Sequence, residues 1–219
     1  MTRGRSASEG AIMAEMEPGV RLYRGYFDEA AQAALLRELE SVIAAAPFFT
    51  PTMPRTGQPF SVRMTNCGPL GWLSDQSRGY RYEARHPETG APWPPMPQML
   101  LDAWAALAEH PHPPQACLVN FYAPDARMGL HQDRDEADFS APILSVSLGA
   151  DCRFRLGGAR RSDSSRVFAL SSGDVLTLGG PARLRFHGVD RLLRELAPKL
   201  ASPLFSAGGR INLTLRRVT

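Results

Sequence analysis

The feature that most constrains the fold is a series of short segments after Pro114, in which apolar and polar residues alternate. Gly, Asp, Ser or Pro separates each segment from the next, and these residues favour turns between strands. The segments are ACLVNFYA, PILSVSLG, CRFRLG, RVFALS, DVLTLGG, LRFHGV and RINLTLRRV. Most of them have no helical pattern between them, so they predict an antiparallel sandwich or barrel.

The first half of the chain has a different pattern. Apolar residues recur at helical spacing over residues 28–46, where Asp28 can cap the helix and Pro47 ends it. A second helix is predicted over residues 96–110, and residues 48–95 are expected to form loops and short strands.

These patterns divide the chain into three parts. Residues 1–17 are expected to form a flexible tail, residues 18–115 a helical flank, and residues 116–219 an all-β core. The tail lacks the apolar core of a secretory signal, and no apolar run is long enough to span a membrane. The sequence therefore predicts a protein without a membrane partner.

Charge and cysteine content add weaker constraints. All basic residues except Lys199 are arginines, whose forked donors suit phosphate, although a codon bias toward arginine explains the same composition. A net charge of +3 thus permits a nucleic-acid partner without demonstrating one. Cys67, Cys117 and Cys152 are too widely spaced for a zinc motif, and their odd number argues against a disulfide framework. They fit a reducing cytoplasm.

The segment LHQDRDE contains a possible half of a metal site. His131 and Asp133 are two residues apart, so on an extended chain both side chains point to the same face. A second histidine would complete the two-histidine, one-carboxylate triad that binds Fe(II). His187 is the best candidate, because it is expected to end the strand RLRFH and precedes Gly188. A solvated turn and a core histidine remain the alternatives at this point.

The last segment, RINLTLRRV, has one polar and one apolar face. The polar face carries two arginines, Arg210 and Arg216, and the residues between them on that face are Asn212 and Thr214. Inside a small barrel, two guanidinium groups would need an anionic ligand such as a dicarboxylate. Asn120 and Tyr122 likewise share a face opposite Phe121. An ordinary half-buried strand with a wet face explains the same alternation.

Taken together, these motifs resemble one family. N-x-Y at residues 120–122, H-x-D at 131–133, the histidine at 187 and R-x-N-x-T-x-R at 210–216 are similar to the AlkB family of Fe(II)- and 2-oxoglutarate-dependent dioxygenases. The resemblance continues through GDVLTLGG and back through MTNCGPLGW, and it covers roughly residues 20–219. It implies an α+β fold with an antiparallel double-stranded β-helix (jelly-roll) core, N-terminal helices and a nucleotide-recognition lid.

The resemblance also implies roles for the polar residues. His131, Asp133 and His187 would bind Fe(II), and Arg210 would pair with the distal carboxylate of 2-oxoglutarate. Arg216 would lie near the keto-acid end and Asp133. The rest of the cosubstrate pocket is assigned to Asn120, Phe121, Tyr122, Asn212 and Thr214. With O2, such a site would oxidise an N-methyl group on a nucleobase and release formaldehyde, succinate and CO2.

Substrate contacts are implied in the same way. Trp72 would stack on a cationic base of the 1-methyladenine or 3-methylcytosine type, with the ring of His131 on the other side. Asp135 would recognise the base. Contacts to the remaining nucleotide are assigned to Tyr80, Arg81, Tyr82 and Arg161. Core packing remains an alternative for Trp72 and the tyrosines, and simple solvent exposure remains open for Glu136.

The implied partner is alkylated DNA, single-stranded or with a flipped base, with RNA as a second candidate, and the protein is expected to be a monomer. Two alternatives stay in view: a non-catalytic jelly-roll binding module, and a family member that acts on RNA or protein. The intact triad and both arginines favour an enzyme, and the lid segment MTNCGPLGW favours a nucleobase substrate.

Overall fold

The computed structural model describes residues 12–193, residue 200 and residues 202–219. Within this part of the chain, the strands form two large antiparallel sheets and one separate hairpin. The major sheet contains, in spatial order, β1 (Ile12–Glu17), β2 (Val20–Arg24), β11 (Val175–Leu178), β8 (Ile143–Gly149), β13 (Arg210–Arg216), β6 (Ala116–Tyr122) and β3 (Val62–Cys67). The minor sheet contains β10 (Arg166–Leu170), β9 (Cys152–Leu156), β12 (His187–Leu192) and β7 (Met128–His131). The hairpin consists of β4 (Gly71–Asp75) and β5 (Gly79–Glu83).

From β6 onward, the described part of the chain crosses repeatedly between the two large sheets, and β9 and β10 are the one pair of consecutive strands in it that share a sheet. Strands β6, β8, β11 and β13 belong to the major sheet, whereas β7, β9, β10 and β12 belong to the minor sheet. This winding is that of a double-stranded β-helix, in which two sheets face each other across one interior. The predicted jelly-roll core is therefore confirmed.

Both predicted helices are present. Helix α1 (Glu29–Ala45) begins at Asp28, whose side chain accepts a hydrogen bond from the backbone N–H of Ala31 at 2.8 Å. Helix α2 (Gln98–Leu107) is shorter than predicted at both ends, and Glu109, with a φ of 51°, turns the chain away from helical geometry. No helix among the described residues is long and apolar enough to cross a membrane.

The helices and sheets form three layers with two cores. The apolar faces of α1 and α2 pack on one side of the major sheet, where Ile211, Leu213 and Leu215 of β13 are each 0% exposed. The second core lies between the two sheets and joins Leu118 of β6 to Phe154 of β9, among others. Truncating such a core leucine to alanine typically costs about 2–5 kcal/mol of stability. Strand β13 therefore anchors the layers with one face and leaves its other face available for polar chemistry.

The predicted division of the chain is partly wrong. Residues 12–17, assigned to a flexible tail, form β1, which pairs with β2, and residues 1–11 lie outside the described residues. The boundary at residue 116 is not a structural division, because β1, β2 and β3 join the same sheet as the core strands.

Candidate metal and cosubstrate site

The three predicted metal ligands lie together, although they come from separate parts of the chain. His131 ends β7 and His187 begins β12, and the antiparallel register places the two residues opposite each other. Nε2 of His131 is 3.9 Å from Oδ1 of Asp133, and Nε2 of His187 is 3.7 Å from Oδ2. One ligand atom from each of the three residues fits within 4.8 Å, and within the described ranges this is the one such group.

One prediction about His187 is wrong. It does not end a strand: a short 3-10 helix (Gly180–Ala182) and a turn precede it, and β12 starts at His187 itself. Gly188 is required next, because a Cβ there would lie 2.6 Å from the backbone oxygen of Met128 on β7. A side chain at this position would push apart the two strands that carry the histidine ligands.

Both imidazoles are oriented with Nε2 toward Asp133. Nδ1 of His131 is 2.9 Å from the carbonyl oxygen of Gly129, and Nδ1 of His187 is 3.0 Å from that of Arg185. A carbonyl oxygen only accepts, so each Nδ1 carries the proton and each Nε2 keeps its lone pair for a metal. Burial, reinforced by His131, lowers the pKa of His187 to about 4, so this imidazole is neutral at physiological pH.

The two carboxylate oxygens of Asp133 have different environments, and one of them is suited to bind a metal. Its Oδ1 accepts a hydrogen bond from Nη2 of Arg216 at 2.7 Å, whereas Oδ2 is buried without a partner among the described residues. Burial raises the pKa of Asp133, but Arg216, His187 and His131 together hold it well below its usual range. A buried, ionised oxygen that has no hydrogen-bond partner among the described residues, and that lies beside two imidazole nitrogens, suits a bound cation. Two histidines and one carboxylate of this kind fit Fe(II) and leave open positions for other ligands.

A polar pocket adjoins the metal ligands along β13. The side chain of Arg210 is almost fully buried, and its Nη2 donates to Oγ of Ser147 at 2.6 Å. Nε of Arg210 and Oδ1 of Asn120 are buried without partners in the described part of the chain. A desolvated guanidinium with an unused donor accommodates a carboxylate, as the prediction for 2-oxoglutarate requires.

The remaining pocket residues form a connected polar network. Thr214 donates to Oδ1 of Asn212 at 2.9 Å, and Nδ2 of Asn212 donates to Oγ of Ser145 at 2.7 Å. Tyr122 lies opposite Arg210 in the register of β6 and β13. Sequence reasoning missed Ser145 and Ser147, although their alternation in the segment SVS of β8 was a usable signal.

The side chain of Phe121 does not line this pocket. It points to the helix side of the major sheet, where its ring lies 5.7 Å from that of Phe48 and 4.8 Å from the guanidinium carbon of Arg63. Its assignment to the cosubstrate pocket is therefore corrected to the neighbouring positions, Asn120 and Tyr122.

The hairpin β4–β5 carries the predicted substrate residues and lies over the metal loop. The indole Nε1–H of Trp72 donates to Oδ2 of Asp135 at 2.8 Å, and Asp135 follows Asp133 by two residues. Tyr80 is half exposed and its ring stacks on Trp72 at a centroid distance of 5.5 Å. Trp72 is only 8% exposed, so it has both a packing role and a position next to the site.

Three other predicted substrate contacts are placed differently. Arg81 faces away from Trp72 and forms ion pairs with Asp75 and Glu83, so it has partners within the hairpin. The hydroxyl of Tyr82 is buried in hydrogen bonds with protein side chains rather than directed to the surface. Arg161 is exposed, with its guanidinium carbon 4.9 Å from the ring centroid of Phe186, and remains a candidate contact.

Simple solvent exposure, the alternative that the sequence left open for Glu136, is excluded by the structure. The side chain of Glu136 is fully buried and bonded to Nη2 of Arg183 at 3.0 Å and to the hydroxyl of Tyr82. Arg183 also donates to the backbone oxygen of Asp133 at 2.6 Å. The sequence has no periodic signal for either residue, because Glu136 lies in a loop and Arg183 in a turn.

The two-sheet fold and the His-Asp-His centre define a class, the Fe(II)- and 2-oxoglutarate-dependent oxygenases. In agreement, residues 19–216 match the model of the 2OG-Fe(II) oxygenase superfamily. The solved structure of OsALKBH1 superposes with a TM-score of 0.74 at 32% identity, covering 94% of this chain and 100% of that chain.

Two relatives narrow the class. The chain is 54% identical over 202 residues to the alpha-ketoglutarate-dependent dioxygenase AlkB homolog of Caulobacter vibrioides, covering 91% of this chain and 88% of the relative. It is 42% identical over 202 residues to the alpha-ketoglutarate-dependent dioxygenase AlkB of Escherichia coli, covering 90% and 89%. The chain therefore belongs to the AlkB family and is an Fe(II)- and 2-oxoglutarate-dependent dioxygenase, as the sequence predicted.

Proposed function

We propose that the protein removes N-methyl groups from nucleobases by oxidation, with alkylated DNA as substrate and RNA as a second candidate. The observation that carries this proposal is the bond between Trp72 of the hairpin and Asp135 of the metal loop, which places an aromatic ring and a carboxylate beside the ligands. Relatives that align over about half of the chain or less are a DNA N(6)-methyladenine demethylase of Arabidopsis thaliana and a tRNA demethylase of Schizosaccharomyces pombe. The aligned segment is about a quarter of the length of each of these relatives.

The side chains divide the work of the reaction. His131, Asp133 and His187 would hold Fe(II), and Arg210 would hold the distal carboxylate of 2-oxoglutarate in a desolvated pocket. When bound, the metal, 2-oxoglutarate and O2 supply the oxidation: one oxygen atom enters succinate as CO2 leaves, and the other enters the methyl group, which departs as formaldehyde. Arg216 donates a hydrogen bond to Oδ1 of Asp133 and would orient the carboxylate, whose Oδ2 has no hydrogen-bond partner among the described residues.

Recognition of the base follows from charge and shape. A base methylated at a ring nitrogen of the 1-methyladenine or 3-methylcytosine type is cationic, which favours an aromatic face and a nearby anion. Trp72 and the exposed carboxylate of Asp135 offer both. A base within a duplex must leave the stack to reach a metal held between two sheets, so the substrate is single-stranded or has a flipped base. We place the protein in the cytoplasm, where its three free cysteines stay reduced, and expect a monomer.

A methylated oligonucleotide tests the proposal directly. With Fe(II), 2-oxoglutarate and O2, an oligonucleotide that contains 1-methyladenine should give formaldehyde and succinate in equal amounts. The unmethylated oligonucleotide of the same sequence should give no formaldehyde. If succinate forms but formaldehyde does not exceed this control for DNA or RNA, the protein is an oxygenase with another substrate.

The role of Trp72 is best tested by Trp72→Phe. Trp72→Ala would leave a cavity in the core, with a typical cost of about 3–5 kcal/mol, and would confuse folding with recognition. Trp72→Phe keeps most of the packing but loses the indole donor to Asp135 and part of the stacking area. We expect kcat/KM for the methylated oligonucleotide to fall by at least about fivefold, or about 1 kcal/mol, with the KM for 2-oxoglutarate unchanged.

Trp93→Phe is the matched control, because Trp93 is equally buried and its indole donates to the backbone oxygen of Glu83 instead. If kcat/KM for the methylated oligonucleotide fell equally in the two variants, the effect would come from packing of the hairpin β4–β5 rather than from contact with the base.

A further inference from the structure

A closed ring of hydrogen bonds joins the hairpin to the metal ligand Asp133. Nη2 of Arg216 donates to Oδ1 of Asp133 at 2.7 Å, and Nη1 of Arg216 donates to the hydroxyl of Tyr82 at 3.0 Å. The Tyr82 hydroxyl donates to Oε1 of Glu136. Oε2 of Glu136 accepts from Arg183 at 3.0 Å, and Arg183 donates to the backbone oxygen of Asp133 at 2.6 Å. The ring therefore begins and ends at the same metal ligand.

The ring is buried and balanced in charge. Exposure of the side chains is 5% for Asp133, 0% for Glu136, 3% for Arg183 and 7% for Arg216. Two carboxylates face two guanidinium groups, with one neutral hydroxyl between them. In such a low-dielectric network, a group that moves leaves its partner's charge unpaired, which is costly. The members are therefore expected to hold or change their positions together.

The ring connects four separate elements of the site. Tyr82 lies on β5 of the hairpin, Asp133 and Glu136 lie in the loop after β7, and Arg216 lies on β13. Arg183 precedes β12, the strand that begins with the ligand His187. Among these members, Tyr82 is the one that comes from the hairpin β4–β5. Within the ring, its hydroxyl therefore links the hairpin to the metal centre.

We propose that Tyr82 and Glu136 are positioning residues that couple the hairpin β4–β5 to the metal ligand Asp133. Asp133, when it holds a metal, would be fixed in the orientation in which it accepts from Arg216, and Arg216 would in turn hold Tyr82 and the hairpin in place. Binding of the metal and closure of the hairpin over a substrate therefore favour each other. Thermodynamic linkage requires the effect to be reciprocal: whatever factor the metal adds to oligonucleotide affinity, the oligonucleotide adds to metal affinity. The metal side of this inference is independent of the proposed function, and the oligonucleotide side rests on it.

The first test uses Mn(II) alone, without turnover. Tyr82→Phe removes the linking hydroxyl and keeps the ring, and we expect its Mn(II) dissociation constant to rise by about 10-fold or more, as loss of a group behind a metal ligand typically causes. The constant is measured from the electron paramagnetic resonance signal of free Mn(II). Tyr26→Phe is the control, because it removes a buried hydroxyl from the helix-side core.

The second test separates coupling from simple support of the ligand. In the wild type, saturating Mn(II) should slow amide hydrogen exchange in residues 71–83, and in Tyr82→Phe this slowing should disappear. Glu136→Gln, which breaks the ring at its buried anion, should behave like Tyr82→Phe if it folds. If Mn(II) does not slow amide hydrogen exchange in the hairpin of the wild type, the proposal is overturned, even if the metal affinity of Tyr82→Phe falls. Wild-type affinity and a wild-type exchange response in Tyr82→Phe would overturn it as well.

A third measurement addresses the substrate side. The affinity of the wild type for the methylated oligonucleotide should be higher with Mn(II) than without it, and in Tyr82→Phe the two affinities should be equal. A wild type that binds no oligonucleotide would contradict the proposed function, whereas the Mn(II) titration and the exchange experiment would still decide the role of the ring.

Discussion

Replacing His131 by alanine should reduce 2-oxoglutarate turnover to that of free metal in buffer, while the protein keeps nearly all of its stability. His131 supplies one of three metal ligands, and the remaining two leave the ion weakly held. Its side chain is 36% exposed, so truncation neither opens a deep cavity nor leaves a buried charge without a partner. Succinate formation and the thermal unfolding midpoint check the two halves of this expectation.

Asp133→Ala should abolish turnover equally but should also destabilise the fold. Arg216 then loses its closest anionic partner in a buried environment, and breaking such a pair typically costs about 3–5 kcal/mol. The two substitutions are therefore expected to have the same effect on turnover but different effects on folding. Normal 2-oxoglutarate turnover in either variant would contradict the assignment of the metal site.

Arg210→Ala should raise the KM for 2-oxoglutarate steeply. The substitution leaves the distal carboxylate of the cosubstrate without its cation in a pocket that excludes water, a typical loss of about 2–5 kcal/mol. This corresponds to a roughly 30- to 4,000-fold weaker affinity. The measurement is the dependence of succinate formation on 2-oxoglutarate concentration, at saturating metal.

Arg63→Ala is the matched control for this variant. Arg63 lies on β3 of the same sheet, but its exposed side chain packs over Phe48 and Phe121 on the other face. It should leave the KM for 2-oxoglutarate unchanged. An unchanged KM in Arg210→Ala would show that another group binds the distal carboxylate.

The parts of the site that lie on regular strands were predictable from the sequence. Alternation along β13 predicts that Arg210 and Arg216 share one polar face, because a strand has a period of two. The cap at Asp28 was equally readable, since a single side chain and the following N–H groups form it. In both cases, the signal is contained within a few neighbouring residues.

The features of the site and fold that the sequence does not predict depend on contacts between distant segments of the chain. Glu136 and Arg183 are 47 positions apart and lie outside strands and helices, so no periodicity marks either of them as buried. The sequence alone indicates no anionic partner for Arg81. The pairing of β4 with β5 brings its guanidinium between the carboxylates of Asp75 and Glu83. Residues 12–17 carry a weak strand pattern, and they form β1 because β2 provides a partner.

The two different faces of β13 limit the kinds of mutation that this strand can tolerate. The same seven residues supply the cosubstrate and metal-supporting groups on one face and fully buried leucine and isoleucine side chains on the other. Loss of a single codon within this strand would shift the register by one residue and exchange the two faces. Guanidinium groups would then face the helices, and aliphatic side chains would face the metal. Point substitutions can adjust this strand, but insertions and deletions are expected to be excluded from it, and length variation in the family should concentrate in turns such as the one between β4 and β5.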